Sequence, residues 1–472
     1  MIAAASLGAL ISCAGTAADD SAGNNKTATP IKHVIVLIGE NRTFDHVFGT
    51  YKPKKGQTVS NLLSNDTINA DGTPGPNFAQ SQQFSVNTPL PPSYFISTNK
   101  NNKMAYADLP PPELGGAPNN AIRSSQLNAD PTNVQPPFGN SILQSQLATN
   151  EPALKVSDLH LLRTGATGAA GTTGLDSRVA NATTLPNGVF QLTGPMLPYD
   201  SYTGDMVHRF FHMWQQSDCD VTNATETNPS GCLNDLYPFV GIARGDDSGG
   251  NSMGFENVQE ADAPLLKKLA DTYTMSDNFH QSVMGGTAAN HILLGTGDAI
   301  FWTTFNGQSV PPNEVIADPD PQSTTLDKYK KDKEWTNCAD TSQPGIAPIV
   351  NYLNSLPYKP DPNCEAGHFY MVNNLSPGFL PNGQIDTTAI TAGTKVPPST
   401  LRTIGDVLNE KNISWVYYGG GFNAAVRVAN GTPSDAFDQL VVLPHLKILP
   451  SDSCRCRRKS SQYLYITSIS IE

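Results

Sequence analysis

A run of five apolar residues, Val34 to Ile38, is followed within three positions by a carboxylate and a carboxamide, Glu40 and Asn41. This junction constrains the chain more than any other feature. The run has the length and β-branched content of a strand buried on both faces, as in a parallel sheet. Open α/β sheets bind ligands beyond the carboxyl ends of their strands, so Glu40 and Asn41 stand where chemistry is expected. The segment predicts an α/β enzyme from its first strand onward.

With 472 residues and 38% hydrophobic content, the chain can bury a large core, as one big domain or about three smaller ones. A formal net charge of -12 argues against a nucleic-acid partner, since phosphate backbones call for a basic face. Residues 1–18 form an apolar stretch too short to span a bilayer, followed by Asp19 and Asp20, and read as a signal peptide. No Lys or Arg precedes that stretch. Leu10-Ile11-Ser12-Cys13 resembles a lipoprotein cleavage box, which leaves two outcomes open: lipid on Cys13, or ordinary cleavage near Ala18. Either way the protein is expected to be exported to the periplasm, the cell surface or the medium, with no transmembrane span.

Cysteine usage agrees with export. Cys219, Cys232, Cys338 and Cys364 lie in the body of the chain, and the simplest of their three pairings joins Cys219 with Cys232 and Cys338 with Cys364. A zinc site is the rival reading, disfavoured because no CxxC pair and no regularly spaced His accompanies them.

Residues 52–200 are rich in Pro, Asn, Gly and Ser and poor in periodicity, as expected of a long insertion of loops and short helices. Such a stretch either covers the surface or works as a lid or binding wall. Beyond it, His208 and His212 are four apart, so on a helix they would share one face and hold a metal or a phosphate. Packing by Phe210, Phe211 and Trp214 explains the same helix without function.

Pro264 opens a predicted helix over Pro264 to Ala270, and Thr272 to Asn278 reads as a short strand. Gly285 and Gly286 then lead into an apolar helix beginning near Thr287. A glycine pair lets backbone approach a ligand closely, and a helix start favours an anion, so Thr287 would present its hydroxyl at a phosphate site. The plain alternative is that Thr287 only caps the helix. Further strands are predicted over His368 to Val372 and Ile413 to Tyr418, with a helix over Ser399 to Lys411 before the latter, in the alternation of an α/β fold.

The segment Glu40-Asn41-Arg42-Thr43-Phe44-Asp45-His46 with Phe48 and Gly49, followed far downstream by Gly285-Gly286-Thr287-Ala288-Ala289-Asn290, resembles the bacterial phosphoesterase family. That family contains non-haemolytic phospholipases C and acid phosphatases of the A type. The resemblance runs in order from about Ile31 to Gly421, with Ala289 and His291 standing where phospholipase members often carry Pro and Arg. It implies an alkaline-phosphatase-like fold, a central sheet with helices on both faces, and a phosphoesterase domain over 31–440. It also implies Glu40, Asn41 and Thr287 as ligands of a divalent metal ion, Thr287 as nucleophile, and His208 and Asn290 as contacts to the substrate phosphate. The expected substrate is a phosphate ester or a phospholipid, hydrolysed through a phospho-threonine.

The carboxyl end departs from the family pattern. Members continue into an acidic pair and histidines that complete the site, whereas here Asp435, Asp438, His445 and Asp452 stand in no such context. Residues 441–472 read as an atypical basic tail in which Cys454 and Cys456 alternate with Arg455 and Arg457, and the fold as incomplete at this end. A catalytically inactive remnant that only binds phosphate-bearing ligands is therefore a second hypothesis. A sulfatase-like hydrolase is a third, opposed by the lack of a C-x-P-x-R motif.

Overall fold

The computed structural model describes residues 34–38, 43–87, 89–111, 133–134, 142–143, 183–191, 206–244, 253–259, 263–302, 309–320, 333–375, 378, 385–399, 401–413, 416–417 and 464–467. The expected signal segment with Cys13, and Glu40 and Asn41, lie outside them. The strands are β1 Val34–Leu37, β2 Phe84–Val86, β3 Lys103–Ala105, β4 Asn133–Val134, β5 Ile142–Leu143, β6 Phe190–Gln191, β7 Glu256–Asn257, β8 Trp335–Thr336, β9 Tyr370–Met371, β10 Val416–Tyr417 and β11 Leu464–Thr467. The helices are α1 Phe44–Phe48, α2 Phe210–Ser217, α3 Tyr237–Arg244, α4 Pro264–Thr272, α5 Thr287–Thr296, α6 Ile346–Ser355, α7 Thr387–Thr391 and α8 Ile404–Glu410. No helix among the described residues is long and apolar enough to cross a membrane.

The first strand forms where expected and pairs in parallel, as its composition predicts, in the order β1-β11-β10. Its middle partner comes from the basic tail. The expected burial on both faces is not found, because its four side chains are 44–58% exposed: Val34 51%, Ile35 58%, Val36 44% and Leu37 52%. The β1 side chains therefore stand half open on both faces of that strand. The other sheets among the described residues have two strands each, so they make up a mixed α and β architecture of small sheets.

Local rules account for most helix bounds. Pro264 sits at the first turn of α4, where its missing N–H costs nothing, but the helix runs on to Thr272 and overrides the strand expected over Thr272 to Asn278. The Thr272 hydroxyl donates to the Lys268 carbonyl at 2.6 Å, and a Lys267–Asp271 pair one turn apart supports that extra turn. In α8, Thr403 and Asp406 form a reciprocal capping box that starts the helix inside the predicted stretch.

Two cores position the middle of the chain. In one, Phe211 of α2 packs with Ile346 and Ile349 of α6, and with Tyr94 and Ile96 from the 52–200 segment, so this part of the insertion serves packing. In the other, Ala288, Ala289 and Ile292 of α5 pack against Met371, Leu375, Trp302 and Trp335. Burying a side chain such as Ile292 is worth roughly 1.5–3 kcal/mol, which fastens α5 to the end of β9. Both expected disulfides, Cys219–Cys232 and Cys338–Cys364, are formed.

Beside the first disulfide, Lys103 of β3 makes buried ion pairs with Asp218 and, at 2.7 Å, with Asp235. One ammonium facing two carboxylates leaves surplus negative charge. Burial pushes the Asp235 carboxyl up to about 6, with Lys103 pulling against the shift and Asp218 adding to it. A carboxyl that holds its proton more tightly folded than unfolded adds stability below about pH 4, and that contribution fades as pH rises through 6. Denaturant unfolding between pH 4 and 7 should show this downward slope, and Asp235→Asn should flatten it; an unchanged slope in the variant would refute the assignment.

Candidate active site

The motif after β1 is anchored by its own polar side chains. The Thr43 N–H donates to His46 Nδ1 at 2.8 Å while the Thr43 hydroxyl accepts the His46 N–H at 3.3 Å, a reciprocal cap that starts α1. With Nδ1 accepting, the proton is assigned to Nε2, which donates to the Gly254 carbonyl. The Val258 N–H donates to the His46 carbonyl at 2.9 Å, so His46 ties the motif to the segment around β7. Asp45 accepts the Leu62 N–H at 3.1 Å, and burial raises its pKa against that hydrogen bond. These two motif residues hold structure.

At the second motif, Gly286 is the N-cap of α5 and Thr287 its first helical residue, so the capping explanation for Thr287 does not apply. A Cβ on Gly285 would lie 2.0 Å from the Val372 carbonyl oxygen, and one on Gly286 would lie 2.4 Å from Asn374 Oδ1. What presses against the glycine pair is thus the chain itself, at the end of β9. The Gly286 N–H donates to the Val372 carbonyl at 3.1 Å, and the Ala288 N–H donates to Asn374 Oδ1 at 2.8 Å. Two amides that the helix start would offer an anion are therefore already engaged.

Asn290 faces the same loop and is 4% exposed. Its Oδ1 accepts the Val283 N–H at 3.1 Å, and its Nδ2 donates to the Val283 carbonyl at 3.1 Å and to the Gly285 and Gly286 carbonyls at 3.3 Å. In this arrangement the carboxamide holds the glycine loop in shape.

His208 and His212 do not share a helix face. Arg209 is the extended N-cap of α2, so His208 precedes the helix while His212 lies within it, 2% exposed. The His208 Nδ1–H donates to the Met206 carbonyl at 3.0 Å. Met206 in turn sits against Gly254, whose Cβ position would be 2.3 Å from the Met206 sulfur, and Gly254 is the residue that His46 holds.

The limb bearing His208 is also fastened to the end of β9. Asn373, fully buried, accepts the Phe210 N–H at 2.9 Å through Oδ1 and donates through Nδ2 to the Lys333 carbonyl. Arg209 pairs with Glu334 at 3.3 Å, and the Glu334 carbonyl accepts the Val372 N–H at 2.9 Å. Thr287 and His208 are hence brought to neighbouring residues of one strand end. Asn373, Asn374, His46 and Glu334 were missed as site-building residues. The signal for the asparagines was present, since a polar pair directly follows a predicted strand, as Glu40 and Asn41 follow the first.

The proposed metal ligands are all oxygen donors, a chemistry that suits a hard divalent cation. Among the described residues Thr287 represents that set alone, and no group of three or more His, Cys, Asp or Glu side chains converges there.

The crowding at the glycine pair can be measured. Gly285→Ala should lower stability by about 1–3 kcal/mol, as overpacking does, because backbone rather than a flexible side chain blocks the new methyl. A chemical denaturation midpoint unchanged from the parent would show that the strand end does not press on the loop.

A family model described as Phosphoesterase family matches residues 31–111 and 172–447, ranges that contain Glu40, Asn41, His208, Thr287 and Asn290. No curated protein and no solved structure matches the chain. Most of the chain, with both motifs in order, follows that model, and the chain belongs to the phosphoesterase family.

Proposed function

We propose that the protein hydrolyses phosphate esters, as an acid phosphatase or a phospholipase C type enzyme, with Thr287 as nucleophile. Family membership supports a hydrolase acting on phosphate esters. The observation that carries the finer reading is the placement of Thr287, a hydroxyl residue on the first turn of α5 directly behind a glycine loop held by β9. In this reading the Thr287 oxygen attacks phosphorus, a new P–O bond forms, and the ester oxygen leaves with its electron pair and takes a proton. Water then attacks the phosphorus of that intermediate and the Thr287 oxygen leaves and regains its proton, releasing phosphate from a monoester substrate or the phosphorylated head group from a diester.

Glu40, Asn41 and Thr287 are the proposed ligands of a divalent cation, which when bound would acidify the hydroxyl and offset phosphoryl charge. His208, on the limb joined to the same strand end, is proposed to contact a phosphoryl oxygen, and Asn290 to shape the loop around it. An alkaline-phosphatase-like sheet completed by the regions around β1, β10 and β11 belongs to the same proposal. So does export, which the two disulfides support because such bonds persist in oxidising compartments.

The half-exposed faces of β1 favour a second reading, a non-catalytic protein that binds phosphate-bearing ligands. Turnover decides between the two. The protein should hydrolyse p-nitrophenyl phosphate, its phosphorylcholine ester or phosphatidylcholine and lose that activity with chelator. Thr287→Ala should reduce turnover by about a thousandfold or more, and Thr287→Ser should retain part of it. No turnover of any of the three by the parent protein would leave the binding reading standing.

A further inference from the structure

The side chains packed around Thr287 lead to one strand end that no part of the proposed chemistry uses. We propose that Asn373 and Asn374 are a two-pronged clip that sets the Thr287 hydroxyl against the His208–Arg209 limb, both acting as positioning residues. The inference rests on the proposed role of Thr287 and adds the device that aims it.

The geometry is specific on both prongs. Thr287 lies between two residues whose amides are held by the same strand end: Gly286 donates to the Val372 carbonyl at 3.1 Å and Ala288 donates to Asn374 Oδ1 at 2.8 Å. With backbone pinned on each side, the remaining freedom is largely the χ1 rotation of a β-branched side chain, which has few wells. On the other prong, Asn373 uses both ends of its carboxamide, accepting from Phe210 N and donating to the Lys333 carbonyl. Phe210 is two residues from His208.

The strand end is itself packed into the core. Met371, Val372, Asn373 and Leu375 are buried, and Met371 and Leu375 share a core with Ala288, Ala289 and Ile292 of the helix that begins at Thr287. Helix and clip therefore refer to one packed frame, and the glycine pair is the clearance that lets the clip close. A nucleophile gains from this because displacement of about 1 Å can cost roughly 10²-fold in rate. Plain helix capping would affect stability alone, and this difference makes the idea testable.

Full-length Asn374→Ala, Asn374→Asp and Asn373→Ala should be compared with the parent. Kinetics should use whichever of p-nitrophenyl phosphate and p-nitrophenyl phosphorylcholine the parent hydrolyses faster. Thermal unfolding and hydrogen–deuterium exchange of the peptide over residues 283–294 complete the set. For Asn374→Ala we expect kcat to fall about 10²-fold with KM little changed, and faster exchange confined to that peptide. Asn374→Asp keeps an acceptor for the Ala288 N–H, so it should recover kcat and exchange protection while raising KM, since a carboxylate repels a phosphoryl group. Parental kcat in Asn374→Ala overturns the proposal. So does a kcat loss in a stably folded Asn374→Asp equal to that in Asn374→Ala. If the parent hydrolyses neither compound, exchange alone judges the clip, faster exchange in Asn374→Ala upholding it and unchanged exchange overturning it; the function reading fails only if phosphatidylcholine is not hydrolysed either. Asn373→Ala checks the second prong: its exchange should rise over the 206–216 segment, and no rise there removes that prong.

Discussion

The end of one short strand, Val372 to Asn374, governs the geometry of the candidate site. Its carbonyl and two carboxamides take the amides of Gly286, Ala288 and Phe210, three donors from two separate helices. Each such hydrogen bond contributes about 1 kcal/mol net, but leaving a buried partner unmet costs more. Asn373 is fully buried, so its pairing with Phe210 is close to obligatory and ties the α2 start to this strand end.

The scaffold behind that strand end follows the same logic on a larger scale. The Cys338–Cys364 disulfide closes the segment carrying α6 and leading into β9. Trp335 of β8, fully buried, donates its indole N–H to the Gly393 carbonyl at 3.0 Å and stands edge-on to Trp302 in the core beneath α5. Packed aromatics and a covalent loop closure give the hydrogen bonds at the strand end a well-packed support. Elsewhere, Lys103 with Asp218 and Asp235 fastens β3 to the segments around the Cys219–Cys232 disulfide, so the 52–200 stretch is partly locked into the body.

Much of this was legible in the residues. The apolar run that starts at Val34 does form a parallel strand, Pro264 opens a helix, a helix follows the glycine pair, and strands appear within His368 to Val372 and Ile413 to Tyr418. Both disulfides pair as the shortest loops suggest. These features depend on local periodicity, proline and loop length, which a sequence carries directly. The misreadings share a different cause. Thr272 stayed helical because neighbouring side chains extended α4, and the two histidines parted because the α2 start is set by Asn373, far away in the chain. The glycine pair looked like clearance for a ligand, whereas its neighbour is Val372.

By itself the sequence determined the kind of chain this is: an acidic, loop-rich α/β protein with two disulfides and the two motifs of the phosphoesterase family. Those follow from composition and from short-range patterns. Only the tertiary structure decided what the motif residues touch, that His46 and Asp45 anchor the first motif, and that Asn373 and Asn374 join the two limbs. The reason is physical. A hydrogen bond between residues 86 positions apart, as between Ala288 and Asn374, leaves no trace in local pattern, because packing of the intervening core brings the partners together.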